Sequence, residues 1–160
     1  MSRRSDAPAP RARVTWRAAM ARSHVHVAHD FGAPVERVFA YLAEHENLAA
    51  LFGTRVERVR DGAAERNGVG SCRRLSFSGL LPFEETVTAY APNERIAYRI
   101  TKGTPLRDHE GTMAFAATAD GTHLDYDIRF GSPVPGLAPL VARVLHGRIA
   151  AGLRKLDRDV

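Results

Sequence analysis

Between Thr54 and Ser132 the chain is divided into short segments in which apolar and polar residues alternate, and glycine, proline or asparagine separates the segments. A period of two is typical of strands with one buried face, and this spacing of turn residues favours an antiparallel meander. Six strands are predicted, near residues 54–60, 70–78, 82–90, 95–102, 109–118 and 123–131. Such a chain must build its core on one face of an antiparallel sheet.

The segment before the meander combines one strand with two short helices. Alternation over residues 24–31 predicts the first strand of the sheet. Pro34 suits the first turn of a helix, because its missing N–H has no partner there, and apolar residues recur at helical spacing over 35–42. A second helix is predicted at 48–52, ending at Gly53, since glycine readily adopts the left-handed conformation of a helix end.

A long helix is predicted to close the chain. After Pro135 and Gly136, apolar residues recur at helical spacing over 137–156, which is about five turns. We expect Val144 and Ile149 to pack against the sheet, so that a charge at either position would prevent folding. The order of elements predicts an α+β helix-grip fold. In this fold a seven-stranded curved antiparallel sheet surrounds the long C-terminal helix, and two short helices follow the first strand.

The net charge of the chain is concentrated at its N-terminus. Residues 1–22 contain six arginines and one aspartate, which accounts for the whole net charge of +5. We therefore expect a disordered basic tail at 1–22 and one neutral folded domain at 23–160, with no nucleic-acid partner. The tail has no apolar run that resembles a signal peptide or a membrane span, so stable membrane insertion is not expected. With Cys72 as the single cysteine, these features favour a cytoplasmic location.

Strand alternation also predicts which residues face the interior. The inward rows are Phe83, Glu85, Val87 and Ala89; Ile96, Tyr98 and Ile100; His109, Gly111, Met113 and Phe115; and Leu124, Tyr126, Ile128 and Phe130. Glu85 and His109 are polar residues in apolar rows. Pairing about each turn sets both of them opposite Ile100, roughly 10 Å apart across one strand. His29, on the first strand, is a further polar residue with inward parity.

Two interpretations of these polar residues remain open. In the functional one, Glu85, His109 and Tyr98 provide hydrogen bonds, or acid/base catalysis if the protein is an enzyme, inside an apolar pocket. In the structural one, Glu85 forms an ion pair with an arginine of the third strand and His109 lies in water at the rim. Alternation does not decide whether Arg73 or Arg74 faces inward.

The residues expected to contact a ligand come from several strands and from the last helix. They are His29, Phe83, Glu85, Val87, Tyr98, Ile100, His109, Gly111, Met113, Phe115, Tyr126, Ile128, Val144 and Leu145. No cofactor is predicted. No metal site is predicted either, because His24 and His26 share a strand face that meets solvent.

Several local motifs accompany this order of elements, at residues 31–34 (FGAP), 68–70 (GVG), 84–87 (EETV), 93–98 (NERIAY) and 120–122 (DGT). Together they resemble the START-like, or SRPBCC, superfamily, and in particular its polyketide cyclase/dehydrase-like branch. The resemblance covers residues 23–156. It implies a helix-grip domain with a hydrophobic pocket.

The resemblance leaves three functions open, because this superfamily contains proteins of several classes. The first is a carrier or sensor that binds a small lipid-like, polyketide-like or aromatic molecule. The second is a polyketide cyclase or dehydratase that acts through Glu85, His109 and Tyr98. The third is a chaperone- or membrane-complex interaction protein, which would use the basic tail or an exposed surface.

Overall fold

The computed structural model describes residues 21–78 and 81–160. Its elements are β1 Ala21–Phe31, α1 Val35–Ala43, a 3₁₀ turn His45–Asn47, α2 Leu48–Phe52, β2 Arg55–Arg60, β3 Cys72–Ser76, β4 Phe83–Ala91, β5 Arg95–Lys102, β6 Arg107–Thr118, β7 Gly121–Ser132 and α3 Leu137–Leu156. Residues 1–20 of the predicted tail lie outside the described residues. Ala21 and Arg22, which the sequence analysis assigned to the tail, are instead the first residues of β1.

The seven strands form one antiparallel sheet in the order β1-β7-β6-β5-β4-β3-β2. From β2 to β7, strands that are consecutive in the sequence are neighbours in the sheet. β1 lies at the edge and pairs with β7, from Ala21 opposite Ser132 to Phe31 opposite Thr122. The helix-grip fold is therefore confirmed, including the two short helices after β1. In the described part of the chain, no helix is both long and apolar enough to cross a membrane.

One strand differs from the predicted alternation. The pairing of β4 with β5 shifts between Val87 and Ala89, so that Ala89 pairs with Ala97 and Tyr90 pairs with the buried Ile96. A bulge of this kind reverses the parity of the strand beyond it. The prediction that Ala89 faces inward is wrong, and Tyr90 takes the inward position, where its ring lies 5.4 Å from that of Phe39.

Helix α3 contacts the rest of the protein differently along its two halves. In the C-terminal half Ile149 and Leu153 are fully buried, and Gly152 passes so close to α2 that a Cβ there would clash with the carbonyl oxygen of Leu51. In the N-terminal half Leu140 and Val144 are 60% and 48% exposed. The helix therefore packs tightly at one end and leaves space beneath the other. The prediction that Val144 packs against the sheet is wrong for this reason.

The two halves of α3 should respond differently to a charge. Ile149→Asp should prevent cooperative folding, because it places an unpaired carboxylate in a sealed apolar core. Val144→Asp should leave a folded protein with a thermal midpoint close to wild type, since its side chain reaches solvent. Far-ultraviolet circular dichroism during heating measures both outcomes. Equal loss of folding in the two variants would contradict this division of the helix.

Candidate functional site

A cavity of about 580 Å³ lies between the N-terminal half of α3 and the concave face of the sheet. Strands β3 to β7, the β5–β6 turn, the end of α2 and the underside of α3 form its walls. The lining residues are Phe52, Leu75, Phe77, Leu81, Phe83, Glu85, Tyr98, Ile100, Gly103, Thr104, Pro105, Leu106, His109, Ile128, Leu137, Leu140, Val141, Val144, Leu145 and Arg148. Most of these side chains are apolar, so the space favours an apolar occupant.

The mouth of the cavity is also apolar. Leu81, before β4, is 84% exposed, and Leu140 and Val144 of α3 are exposed as well. Just inside, the rings of Phe77 and Phe83 stack with their centroids 5.9 Å apart. Apolar side chains at the mouth remove the need for an apolar molecule to cross a polar boundary on its way in.

Arg73 of β3 faces inward and pairs with Glu85 of β4. The guanidinium Nε donates to Glu85 Oε2 at 2.8 Å, and Nη2 lies 2.8 Å from the same oxygen without the alignment of a hydrogen bond. Both side chains are buried, and the two residues are register partners. The structural interpretation of Glu85 is thus realised with Arg73. Arg74 instead pairs with Glu84 on the outer face.

Tyr98 lies beside this ion pair and forms part of the cavity floor. The Arg73 guanidinium carbon sits 4.4 Å from the centre of the Tyr98 ring, and the Tyr98 hydroxyl shares a hydrogen bond with that of Tyr126. Burial raises the pKa of Tyr98 well above its usual range. Gly111 makes room for the ring, because a Cβ there would clash with Tyr98 Cζ.

His109 of β6 lies on the other side of β5 from Glu85 and is buried. The paired ladder of β5 and β6 runs only as far as Tyr98–Gly111, and beyond it the backbone N–H of Ile100 donates to His109 Nδ1 at 3.2 Å. The imidazole also packs between Tyr98 and Phe130, with ring centroids 5.7 and 6.3 Å away. Burial lowers the pKa of His109. The structure therefore does not leave this ring in water at a rim.

Eight of the predicted contact residues line the cavity: Phe83, Glu85, Tyr98, Ile100, His109, Ile128, Val144 and Leu145. Six do not: His29, Val87, Gly111, Met113, Phe115 and Tyr126. The last five have the predicted inward orientation, but they belong to the close-packed interior. His29 lies near the other end of α3, where its Nε2 is 3.7 Å from Asp157. Correct strand parity thus did not distinguish core from cavity.

Sequence reasoning missed the residues that reach the cavity from loops and helices. Four of them form the β5–β6 turn, Gly103 to Leu106, which has no periodicity from which its position could be predicted, and four more, Leu137, Leu140, Val141 and Arg148, belong to α3. Leu75 and Phe77 were detectable, since they alternate with polar residues. Arg148 was not. It lines the cavity and donates from Nη1 to the carbonyl oxygens of Phe52 at 2.9 Å and Gly53 at 3.2 Å.

The histidines of the outer sheet face lie far from the cavity side. His24 Nε2 is 2.5 Å from Asp127 Oδ1, and His26 Nδ1 is 3.3 Å from the same atom. Both histidines are exposed. Residues 21–78 and 81–160 contain no group of three or more His, Cys, Asp or Glu residues placed to hold a metal ion.

His45 lies in a buried cluster behind Arg73. Its Nε2 is 3.2 Å from the Ser71 hydroxyl oxygen. Burial, with the nearby positive charges of Arg73 and Arg58, lowers the pKa of His45 from its ordinary value of 6.5 to about 3. The ring is therefore neutral in the folded protein at neutral pH.

A family model described as "Polyketide cyclase / dehydrase and lipid transport" matches residues 22–160. No curated protein matches the chain in sequence. The solved structure of TTHA0849 from Thermus thermophilus is similar with a TM-score of 0.68 and 19% identity, over 85% of this chain and 95% of that one.

Two further solved structures are similar at lower identity. Norcoclaurine synthase from Thalictrum flavum, in complex with dopamine and hydroxybenzaldehyde, has a TM-score of 0.66 and 12% identity over 98% of both chains. The Aha1 dimer from Colwellia psychrerythraea has a TM-score of 0.61 and 16% identity, over 84% of this chain and 93% of that one. At such identities the likeness shows a shared fold.

Removing one partner of the Arg73–Glu85 pair should be costly. Glu85→Gln should lower the free energy of unfolding by about 3–5 kcal/mol, because it leaves a cation buried without its counter-charge. The double variant Arg73→Met/Glu85→Gln should recover much of the loss. Urea denaturation measures the series, with Glu84→Gln on the outer face as the control that changes stability far less. Wild-type stability in Glu85→Gln would show that the carboxylate is solvated.

His45 should make stability depend on pH in a defined direction. Below pH 6.5 the unfolded chain takes up a proton at His45 that the folded protein, with a pKa of about 3, does not. The free energy of unfolding should therefore fall as the pH drops from 6.5 toward 3, by up to about 1.4 kcal/mol per pH unit. His45→Gln should flatten this dependence in urea titrations between pH 6.5 and 5. The variant His146→Gln, at an exposed position of α3, should keep the wild-type slope of unfolding free energy against pH. An unchanged slope in His45→Gln would contradict the assignment of the pH dependence to His45.

Proposed function

The chain belongs to the polyketide cyclase / dehydrase and lipid transport family, and from that premise we propose that it is a carrier or sensor of a small hydrophobic or amphipathic molecule. Membership of this family confirms the resemblance to the START-like superfamily. The cavity beneath α3 is the observation that carries the proposal. Its volume of about 580 Å³ falls within the range of roughly 300–1,000 Å³ that small-molecule sites occupy.

The arrangement of the polar residues favours binding over catalysis by a cyclase or dehydratase. A general base needs a free lone pair within reach of the substrate proton. Glu85 is held by Arg73, the Nδ1 lone pair of His109 accepts from Ile100, and the Tyr98 hydroxyl is bonded to Tyr126. Two of the three groups that a cyclase would use, His109 as a base and the Tyr98 hydroxyl, are therefore already engaged in the folded protein, and Glu85 is held by its ion pair with Arg73 although its Oε1 accepts no hydrogen bond.

An interaction protein would need an exposed surface that the cavity does not explain. The most exposed apolar residues of α3, Leu140 and Val144, line the cavity mouth, as does Leu81 before β4. A cavity opening thus accounts for these exposed residues without a protein partner. We also propose a cytoplasmic location, because the buried thiol of Cys72 suits a reducing compartment.

Native mass spectrometry of the purified full chain tests the function directly. We expect a retained apolar small molecule, released unchanged in covalent structure on denaturation. Independently, the neutral fluorophore N-phenyl-1-naphthylamine should bind with an increase in emission, because it moves from water into an apolar space. Recovery of a converted product from an added polyketide-like substrate would favour the cyclase instead.

The mouth of the cavity should control binding without controlling folding. Val144→Asp places a carboxylate among the apolar residues that an occupant must pass or touch, so it should weaken binding of the fluorophore about tenfold or more. His146→Asp is the matched control, because it lies on the same helix, is exposed and does not line the cavity. Fluorescence titration at equal protein concentration measures both variants. Equal affinity of the two would mean that the fluorophore binds elsewhere.

A further inference from the structure

One oxygen of Glu85 remains available to an occupant of the cavity. Oε2 accepts from Arg73 Nε, whereas Oε1 accepts no hydrogen bond from the residues that the structure describes. In the same described residues, the buried polar atoms that lack both solvent contact and a hydrogen-bond partner include His45 Nδ1 and Arg73 Nη2. Glu85 Oε1 is not one of them, so it is not sealed. Since Glu85 lines the cavity, this oxygen faces the cavity space. It is an acceptor that needs a donor.

His109 supplies the complementary group. Its Nδ1 accepts the N–H of Ile100, so the neutral ring carries its proton on Nε2. Nε2 has no hydrogen bond within the described part of the chain, and it is not sealed from the cavity that His109 lines. The backbone of β5 thus fixes the tautomer, and the ring presents a donor where Glu85 presents an acceptor.

The charge of Glu85 is already balanced by Arg73. Arg148, at the α2 end of the cavity, keeps its positive charge, and its Nη1 already donates to the carbonyl oxygens of Phe52 and Gly53. A ligand carboxylate beside Glu85 would bring a second negative charge into a space of low dielectric, and it could not donate to Oε1. A ligand hydroxyl can donate to Oε1 and adds no charge.

We infer that the cavity selects uncharged apolar molecules that carry a hydroxyl group, and that it rejects carboxylates. The ligand hydroxyl donates to Glu85 Oε1, and an oxygen of the ligand accepts from His109 Nε2–H. This inference rests on the proposed function, because it concerns the polar end of the same occupant. It restricts the ligand to alcohols and phenols rather than fatty acids.

Three ligands with the same chain separate the contributions: dodecan-1-ol, 1-methoxydodecane and dodecanoate. Each is titrated against N-phenyl-1-naphthylamine bound to the full chain at pH 7. We expect the alcohol to displace the fluorophore at a concentration about tenfold or more below that of the other two, because only the alcohol satisfies Glu85 Oε1 without adding charge. The comparison uses wild-type protein, so it does not depend on the folding of a variant.

Variants then assign the preference to residues. His109→Phe, which keeps a ring but loses the donor, should weaken binding of both the alcohol and the ether, each of which offers an oxygen to Nε2–H. Leu140→Ala, at the mouth, serves as the control and should weaken all three ligands alike. His109→Phe binding as tightly as wild type would remove the donor from the inference. If it does not fold, the wild-type ligand order still decides.

Two other results would overturn the inference while leaving the proposed function intact. Equal displacement by the alcohol and the ether would mean that Glu85 accepts nothing from the ligand. Preference for dodecanoate, abolished by Arg148→Gln, would locate the polar end of the ligand at Arg148 and identify an anion-binding cavity.

A third result has a wider consequence. Failure of the fluorophore to bind at all would overturn the proposed function, and the inference with it.

Discussion

The ion pair between Arg73 and Glu85 is the interaction around which the concave face of the sheet is arranged. A buried charge is costly unless it is neutralised, so β3 and β4 must keep the register that makes these residues partners. The residues around the ion pair are placed to accommodate it. Tyr98 presents its ring face to the guanidinium, and Gly111 provides the space for that ring. Of this charged pair, Glu85 lines the mainly apolar chamber and Arg73 does not.

The chamber lies where α3 packs less closely: in its N-terminal half Ala138 is buried, but Leu140 and Val144 are exposed. Ile149 and Leu153 are sealed in the core, and Gly152 allows close contact with α2. The N-terminal half lies over the concave face of the sheet, and Leu137, Val141 and Leu145 line the cavity between them. Other side chains of this half remain exposed instead of filling the space. Helix, sheet and turn residues bound the cavity together, so no single residue accounts for it.

Much of the fold was predictable from the sequence, because alternation and helical spacing are local properties of the chain. They gave the order of elements, the antiparallel sheet and the inward orientation of Glu85, Tyr98 and His109. They failed at Ala89, where a bulge reversed the strand parity, since a bulge leaves little trace in a short alternating segment. They also failed at Val144, whose helical spacing is the same whether or not a sheet lies close enough to cover it.

The sequence by itself determined which faces of the strands are apolar and where two polar side chains interrupt them, because strand parity follows directly from the period of two. The tertiary structure alone decided that Arg73 rather than Arg74 faces Glu85, and that Ile100 fixes the tautomer of His109. It also decided which inward residues line the cavity and which pack against one another in the core. Those outcomes depend on distances between elements far apart in the chain, and no local pattern records such distances.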